Sequence, residues 1–308
     1  MAIADWGAVA MTAAWGLFAA FLAAYVAGVA SEVTYVTLAD GRRQERSIPL
    51  VFKLLLPFAG NFAGVSRRPS LAAHRASLDG ALVAAGFEGL LSADEFIALE
   101  ILSPLVLGIS WATLILVLGF AIPDYPFVTL RSPLVVFGFA LFALQPALWL
   151  RSELRRRHAA IAKALPFVLD MLTLSVEAGL DFISALQRNC SARKMDPLNE
   201  ELLRMTKEIQ LGLPRREALK RMASRSREPN LRSVANALVQ ADELGVSIGS
   251  MLRIQADQMR SQRFARAERL ANEAPVKMLF PLMVFIFPAV FIVILGPVLS
   301  QALKDFAF

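Results

Sequence analysis

One cysteine, Cys190, and two histidines, His74 and His158, are all that the 308 residues hold of thiol and imidazole chemistry. A lone cysteine cannot form an internal disulfide, and these three side chains lack metal-ligand spacing. They read as a buried thiol and two helix-surface imidazoles. No glycine loop ending in Lys and Ser/Thr is present to cradle a phosphate, which argues against nucleotide hydrolysis by this chain. Charge is scarce as well. Asp, Glu, Lys and Arg make up 19% of the chain against 56% hydrophobic residues, where soluble chains carry about 45–50%. Soluble enzyme, nucleic-acid binder and secreted disulfide scaffold are therefore poor classes for this sequence.

The missing charge is concentrated in four uncharged blocks, 7–30, 101–123, 132–150 and 278–303. About 20 apolar residues in a helix cross a bilayer core, so all four are candidate spans. The first block has no positive n-region and is too long for a signal peptide's apolar core, so it reads as a retained span. Ala10/Ala14, Ala19/Ala23 and Ala20/Ala24 place small residues four apart there, which permits close helix packing. A fifth uncharged run, 54–66, is shorter and carries Pro57, Gly60 and Gly64. It reads as lying at the cytoplasmic face, and 70–85 and 92–100 as short helices leading into the second span.

Orientation follows from Lys and Arg. Seven fall in 31–95 and 23 in 151–277, with one each in the 124–131 loop and the C-terminal tail. Positive residues flanking spans stay in the cytoplasm. Arg42, Arg43 and Arg46 follow the first block; Arg151, Arg155, Arg156 and Arg157 follow the third; Arg263, Arg266, Arg269 and Lys277 precede the fourth. Both termini are then expected in the periplasm. The net charge of +6 needs no nucleic-acid partner; retention plus solvated helix faces accounts for it, with lipid headgroups or an acidic partner as the alternative.

The segment 151–277 shows helix punctuation throughout. A basic helix from Arg151 to Ala178, able to kink at Pro166, ends at Gly179. Asp181 can cap a second helix, Asp196-Pro197 opens a third, and Gly212 stops it. Leu213-Pro214 restarts the chain, Pro229 opens a fifth helix, Gly245 closes that one, and Ser247 caps a last helix running toward the fourth span. Gly245-Val246-Ser247-Ile248-Gly249 matches a nucleophile elbow. It joins two helices, however, and both histidines precede the serine, so hydrolase chemistry is rejected. The reading is an all-α membrane protein: a first span (1–30), a cytoplasmic segment (31–100), a hairpin of spans (101–150), a cytoplasmic helical bundle (151–274), a fourth span (275–303) and a periplasmic tail (304–308).

From Leu165 to Pro297 the residues resemble the F-domain of type II secretion and type IV pilus inner-membrane platform proteins. The resemblance rests on Leu165-Pro166 with Asp170, Glu177-Ala178-Gly179, Leu211-Gly212-Leu213-Pro214 with Ala218-Leu219, and Gly245 with the basic helix after it. Ala274-Pro275-Val276-Lys277-Met278-Leu279-Phe280-Pro281-Leu282 is similar to the TadC branch of the tight-adherence (Flp) pilus system. Residues 31–70 carry no resemblance.

The resemblance implies a non-enzymatic platform without cofactors in the bacterial inner membrane. It would form an oligomer, pair with a sister protein resembling TadB, and couple a hexameric cytoplasmic ATPase to pilin extraction. Exposed charges at the bundle's far turns are the expected partner contacts: Glu177, Asp181, Arg215, Arg216, Glu217, Asp242 and Glu243. A transporter or channel component is the alternative, disfavoured because the four blocks contain no ionisable residue.

Overall fold

The computed structural model describes residues 35–37, 43–46, 48–60, 63–66, 68–121 and 125–305. The expected first span and its alanine pairs lie outside these, as does the end of the tail. The described residues begin with a feature the sequence did not announce, an antiparallel pair of three-residue strands, β1 (Tyr35–Thr37) and β2 (Arg43–Glu45), in the register Tyr35 to Glu45. Every later element among the described residues is helical: α1 (Leu50–Ala59), the turn α2 (Ala63–Ser66), α3 (Ala72–Ala85), α4 (Ala93–Ala121) and α5 (Tyr125–Glu177) come first. Five more follow, α6 (Phe182–Ala192), α7 (Pro197–Gln210), α8 (Arg215–Ser226), α9 (Pro229–Leu244) and α10 (Ile248–Pro281). A π-turn at Leu282–Ile286 then leads into α11 (Phe287–Asp305). Among the described residues, three stretches are long and apolar enough to cross a membrane: Ala93–Ile115, Ser132–Glu177 and Ile248–Pro297.

Several boundaries differ from the sequence expectation. The short helix placed at 92–100 is the first part of α4, continuous with the second apolar block. Ser92 and Glu95 form a reciprocal capping box there, Ser92 N donating to Glu95 at 2.8 Å and Glu95 N to Ser92 Oγ at 3.2 Å. The expected 124–131 loop is mostly helix, because α5 already starts at Tyr125. Part of the 54–66 run is packed into the protein: α1 buries Leu55 and Ala59, with Phe52 before them, in a core with α4. Apolar burial outweighs the weak helix propensity of Pro57.

Two hydrophobic cores form among the described residues, and α5 belongs to both. The first, an N-terminal lobe, gathers Phe52, Leu82, Phe87, Phe96 and Leu99 around Trp149, Leu150 and Leu154 of α5. Phe52 and Phe87 rings each lie 5.1 Å from the Trp149 ring, within the range of favourable aromatic pairs. The second core is the bundle, where Ile161, Leu165, Leu169 and Leu172 of α5 meet α6 to α10. Between Leu154 and Ile161 the helix reads Arg-Arg-Arg-His-Ala-Ala.

Candidate functional site

Proline within the long helices leaves carbonyls without their usual donor, and the fold supplies substitutes. Pro146 cannot donate to Phe142 O; the buried Ser103 Oγ of α4 donates to it instead, at 3.1 Å. Pro166 cannot donate to Ala162 O, and Arg263 Nη2 of α10 reaches that carbonyl at 2.8 Å and Lys163 O at 3.0 Å. Neighbouring helices satisfy proline-freed backbone in this way. α5 therefore runs on through Pro166 as one 53-residue helix. Pro288 removes the donor for Val284 O, and the register slips to i+5 over Leu282–Ile286, with Phe287 N donating to Leu282 O. These devices make α5 and α10–α11 continuous from apolar helix into bundle.

The helix-stop glycines sit at the bundle's turns with φ of +93° (Gly179), +96° (Gly212) and +67° (Gly245). At the first two, the next residue's N–H reaches back five positions, Leu180 N to Ser175 O and Leu213 N to Glu208 O, the Schellman arrangement. Asp181 caps α6 by accepting from Ile183 N at 3.0 Å, and Asp196 caps α7 by accepting from Asn199 N at 2.7 Å. Two caps differ from expectation. Ser247 occupies the N-cap position of α10 but its hydroxyl makes no cap bond. The start of α9 is capped by the buried Glu228, which accepts from Leu231 N at 2.6 Å. Glutamate is not a favoured cap residue, so sequence reasoning missed it.

The seven expected partner-contact residues are occupied within the chain. Arg215 pairs with Asp242, and Arg216 approaches Asp242 at 3.5 Å and Glu243 at 3.7 Å. The start of α8 is thereby tied to the end of α9. Glu217 pairs with Arg221 one turn on, at 3.2 Å, and Glu177 with Arg253 of α10 at 2.8 Å. Asp181 is spent on its cap. Beside these neutralised charges, Leu211 (81% exposed) and Leu244 (78%) face solvent.

A more extended polar construction lies elsewhere, around Arg157. Eight side chains alternate in sign along one path. Arg46 meets Glu200 at 2.7 Å; Glu200 meets Arg157 at 2.7 Å; Arg157 meets Glu201 at 3.1 Å. Arg225 then bridges Glu201 at 3.3 Å and Glu208 at 2.6 Å, Arg204 lies 3.7 Å from Glu208, and Arg204 ends the path on Glu88. Four positive groups balance four negative ones. Burial lowers the pKa of the Arg46 guanidinium while Glu200 opposes that, and the hydrogen bond from Arg204 holds the Glu88 carboxyl below its ordinary range. One sequence signal for this path exists: Glu200, Arg204 and Glu208 recur every four residues on one face of α7.

These features define a helical protein in which a charged bundle is continuous with apolar helices long enough to cross a membrane. Residues 168–296, from within α5 to within α11, match the family described as Type II secretion system (T2SS), protein F, which supports a T2SS F domain there. No curated protein and no solved structure matches the chain.

Proposed function

We propose that this chain is an inner-membrane platform protein of a tight-adherence (Flp) pilus or related type II secretion machine, closest to the TadC branch. One observation carries the reading. The segment that matches the F domain is a bundle whose first and last helices, α5 and α10, are continuous with apolar stretches. That is the mechanical requirement for passing movement between a cytoplasmic engine and the bilayer. The platform has four spans, the segments 31–100 and 151–274 in the cytoplasm, and both termini in the periplasm. It acts without catalysis or a cofactor, beside a TadB-like sister protein, and couples a hexameric ATPase to pilin extraction. The ATPase docks at the turns around Arg215–Glu217 and Asp242–Glu243, with Glu177 and Asp181 nearby.

Co-purification from membranes tests the reading. The tagged full chain is expected to retain a secretion ATPase and pilin, and its deletion to abolish surface pili. Vesicle flux carried by the purified chain, with pili unaffected by the deletion, would replace the platform with a transporter. Arg215→Glu with Arg216→Glu should release the ATPase while leaving membrane insertion intact. If that variant, and separately Asp242→Lys with Glu243→Lys, both assemble pili normally, docking lies on another face.

A further inference from the structure

The eight-residue charge path has a division of membership that its geometry makes consequential. Its two ends, Arg46 and Glu88, belong to the N-terminal lobe. Its six middle members belong to the bundle: Arg157 of α5, Glu200, Glu201, Arg204 and Glu208 of α7, and Arg225 of α8. Those six are balanced by themselves, three positive and three negative. The bundle therefore keeps a paired network when the lobe withdraws, and the lobe gives up only one charge of each sign.

Two further approaches across the contact also involve guanidinium groups. The lobe approaches the bundle through glycines with guanidinium groups laid over them. A Cβ at Gly86 would stand 2.5 Å from Arg157 Nη1 and 3.0 Å from Arg46 Nη2, and one at Gly80 would stand 1.8 Å from Arg227 Nη2. The two hydrophobic cores share no residue. On α5, the continuous helical stretch between them is Arg-Arg-Arg-His-Ala-Ala, the segment that must bend for the two cores to move apart.

We infer that the lobe and the F-domain bundle meet at a releasable polar joint, a latch closed by Arg46–Glu200 and Glu88–Arg204, about which the lobe undocks while both cores stay intact. The physical reason is the cost of opening. Separating two apolar faces exposes about 25 cal/mol for each Å², whereas paired buried charges contribute little net stability because desolvation offsets their attraction. A charged joint fixes register when closed and opens without exposing a core. The Glu88–Arg204 end is already half in solvent, at 46% and 39% exposure, so it opens first.

Spin labels on cysteines at Asp79 (α3) and Ser224 (α8), both exposed and outside the path, test this in the full chain in lipid nanodiscs. The native Cys190 is buried, with its thiol pKa pushed up to about 11 by desolvation, so it stays unlabelled at neutral pH. The wild-type chain at low salt should give one narrow label-to-label distance. Arg46→Gln with Glu88→Gln should add a second, longer distance and leave the thermal melting of the bundle unchanged. Raising salt from about 0.1 M to about 1 M shortens the screening length from about 10 to about 3 Å and should move the wild type the same way. A distance that stays single and narrow in the variant and in high salt overturns the latch and makes the joint a rigid clamp. If the double variant fails to fold, the salt series on the wild type decides alone.

Discussion

At the residue scale, the glycines separate two kinds of requirement. Gly212 has φ of +96° and open space where a Cβ would go. Only the backbone conformation demands glycine there. Gly212→Val should therefore cost about 1–2 kcal/mol, the penalty for an L-residue forced to positive φ, and Gly212→Asn less. Thermal melting of the full chain checks both, and an unchanged Gly212→Val midpoint would refute the cap. Gly86 is constrained twice, by φ of +84° and by the buried Arg157 guanidinium 2.5 Å from its would-be Cβ. Gly80 has no positive φ, and its close neighbour is the far end of the exposed Arg227 side chain, which can swing away. Gly86→Ala should thus destabilise clearly more than Gly80→Ala, although the nearer contact is at Gly80. Equal melting shifts would show that space, not backbone, sets the cost.

At the scale of elements, the helices of the bundle were legible because proline, glycine and aspartate punctuate them. Asp181, Asp196-Pro197 and Gly212 each announce a boundary through local chemistry. The compensations were not legible, since they join residues far apart in sequence. Nothing near Pro146 reveals that Ser103, on another helix, answers for it. Likewise Arg263 reads as a charge flanking a span, yet its guanidinium reaches the carbonyls at the Pro166 step. This gives a paired expectation. Ser103→Ala leaves a carbonyl in the helical hairpin without a donor and should cost about 1–3 kcal/mol. Introduced into Pro146→Ala, where the restored backbone N–H again serves Phe142 O, the same change should cost much less. A double-mutant cycle on melting measures the coupling, and additive costs would show that the serine does not answer for the proline. The charges at the bundle's far turns follow the same rule. Arg215 and Asp242 were legible as turn residues but not as each other's partners, 27 positions apart. Reversing Arg215 and Arg216 alone sets like charges together. Adding Asp242→Lys and Glu243→Lys should recover the lost thermal stability, and failure to recover it would mean that the pairs do not hold α8 to α9.

At the scale of the whole molecule, one set of basic residues serves two purposes, and charge counting along the chain reaches only one of them. Arg46 and Arg157 count toward the positive charge that would hold their segments in the cytoplasm, and both also lie in the path that joins the lobe to the bundle, Arg157 buried and Arg46 half-buried. The second role becomes visible only when α7 is brought against α5. Topology is the quantity that the counting does reach. α4 and α5 form a helical hairpin, held by Trp111 Nε1 donating to Leu134 O at 3.1 Å and by Ser103 on Phe142. If both arms cross the bilayer, the chain between Ala121 and Tyr125 emerges opposite the bundle. A reporter fused after Ala192 should therefore read cytoplasm, one placed between Ala121 and Tyr125 periplasm, and one after Phe308 periplasm. Arg151, Arg155 and Arg156 stand within α5 where its apolar part gives way to the bundle, the side proposed to be cytoplasmic. Changing these three to glutamine removes flanking positive charge but leaves the Arg157 pairs untouched, so the bundle should still melt as before while the reporter after Ala192 loses its uniform orientation. A cytoplasmic reading after Phe308 in the wild type would instead remove one span from the architecture, and with it the requirement that α10–α11 carries the chain across.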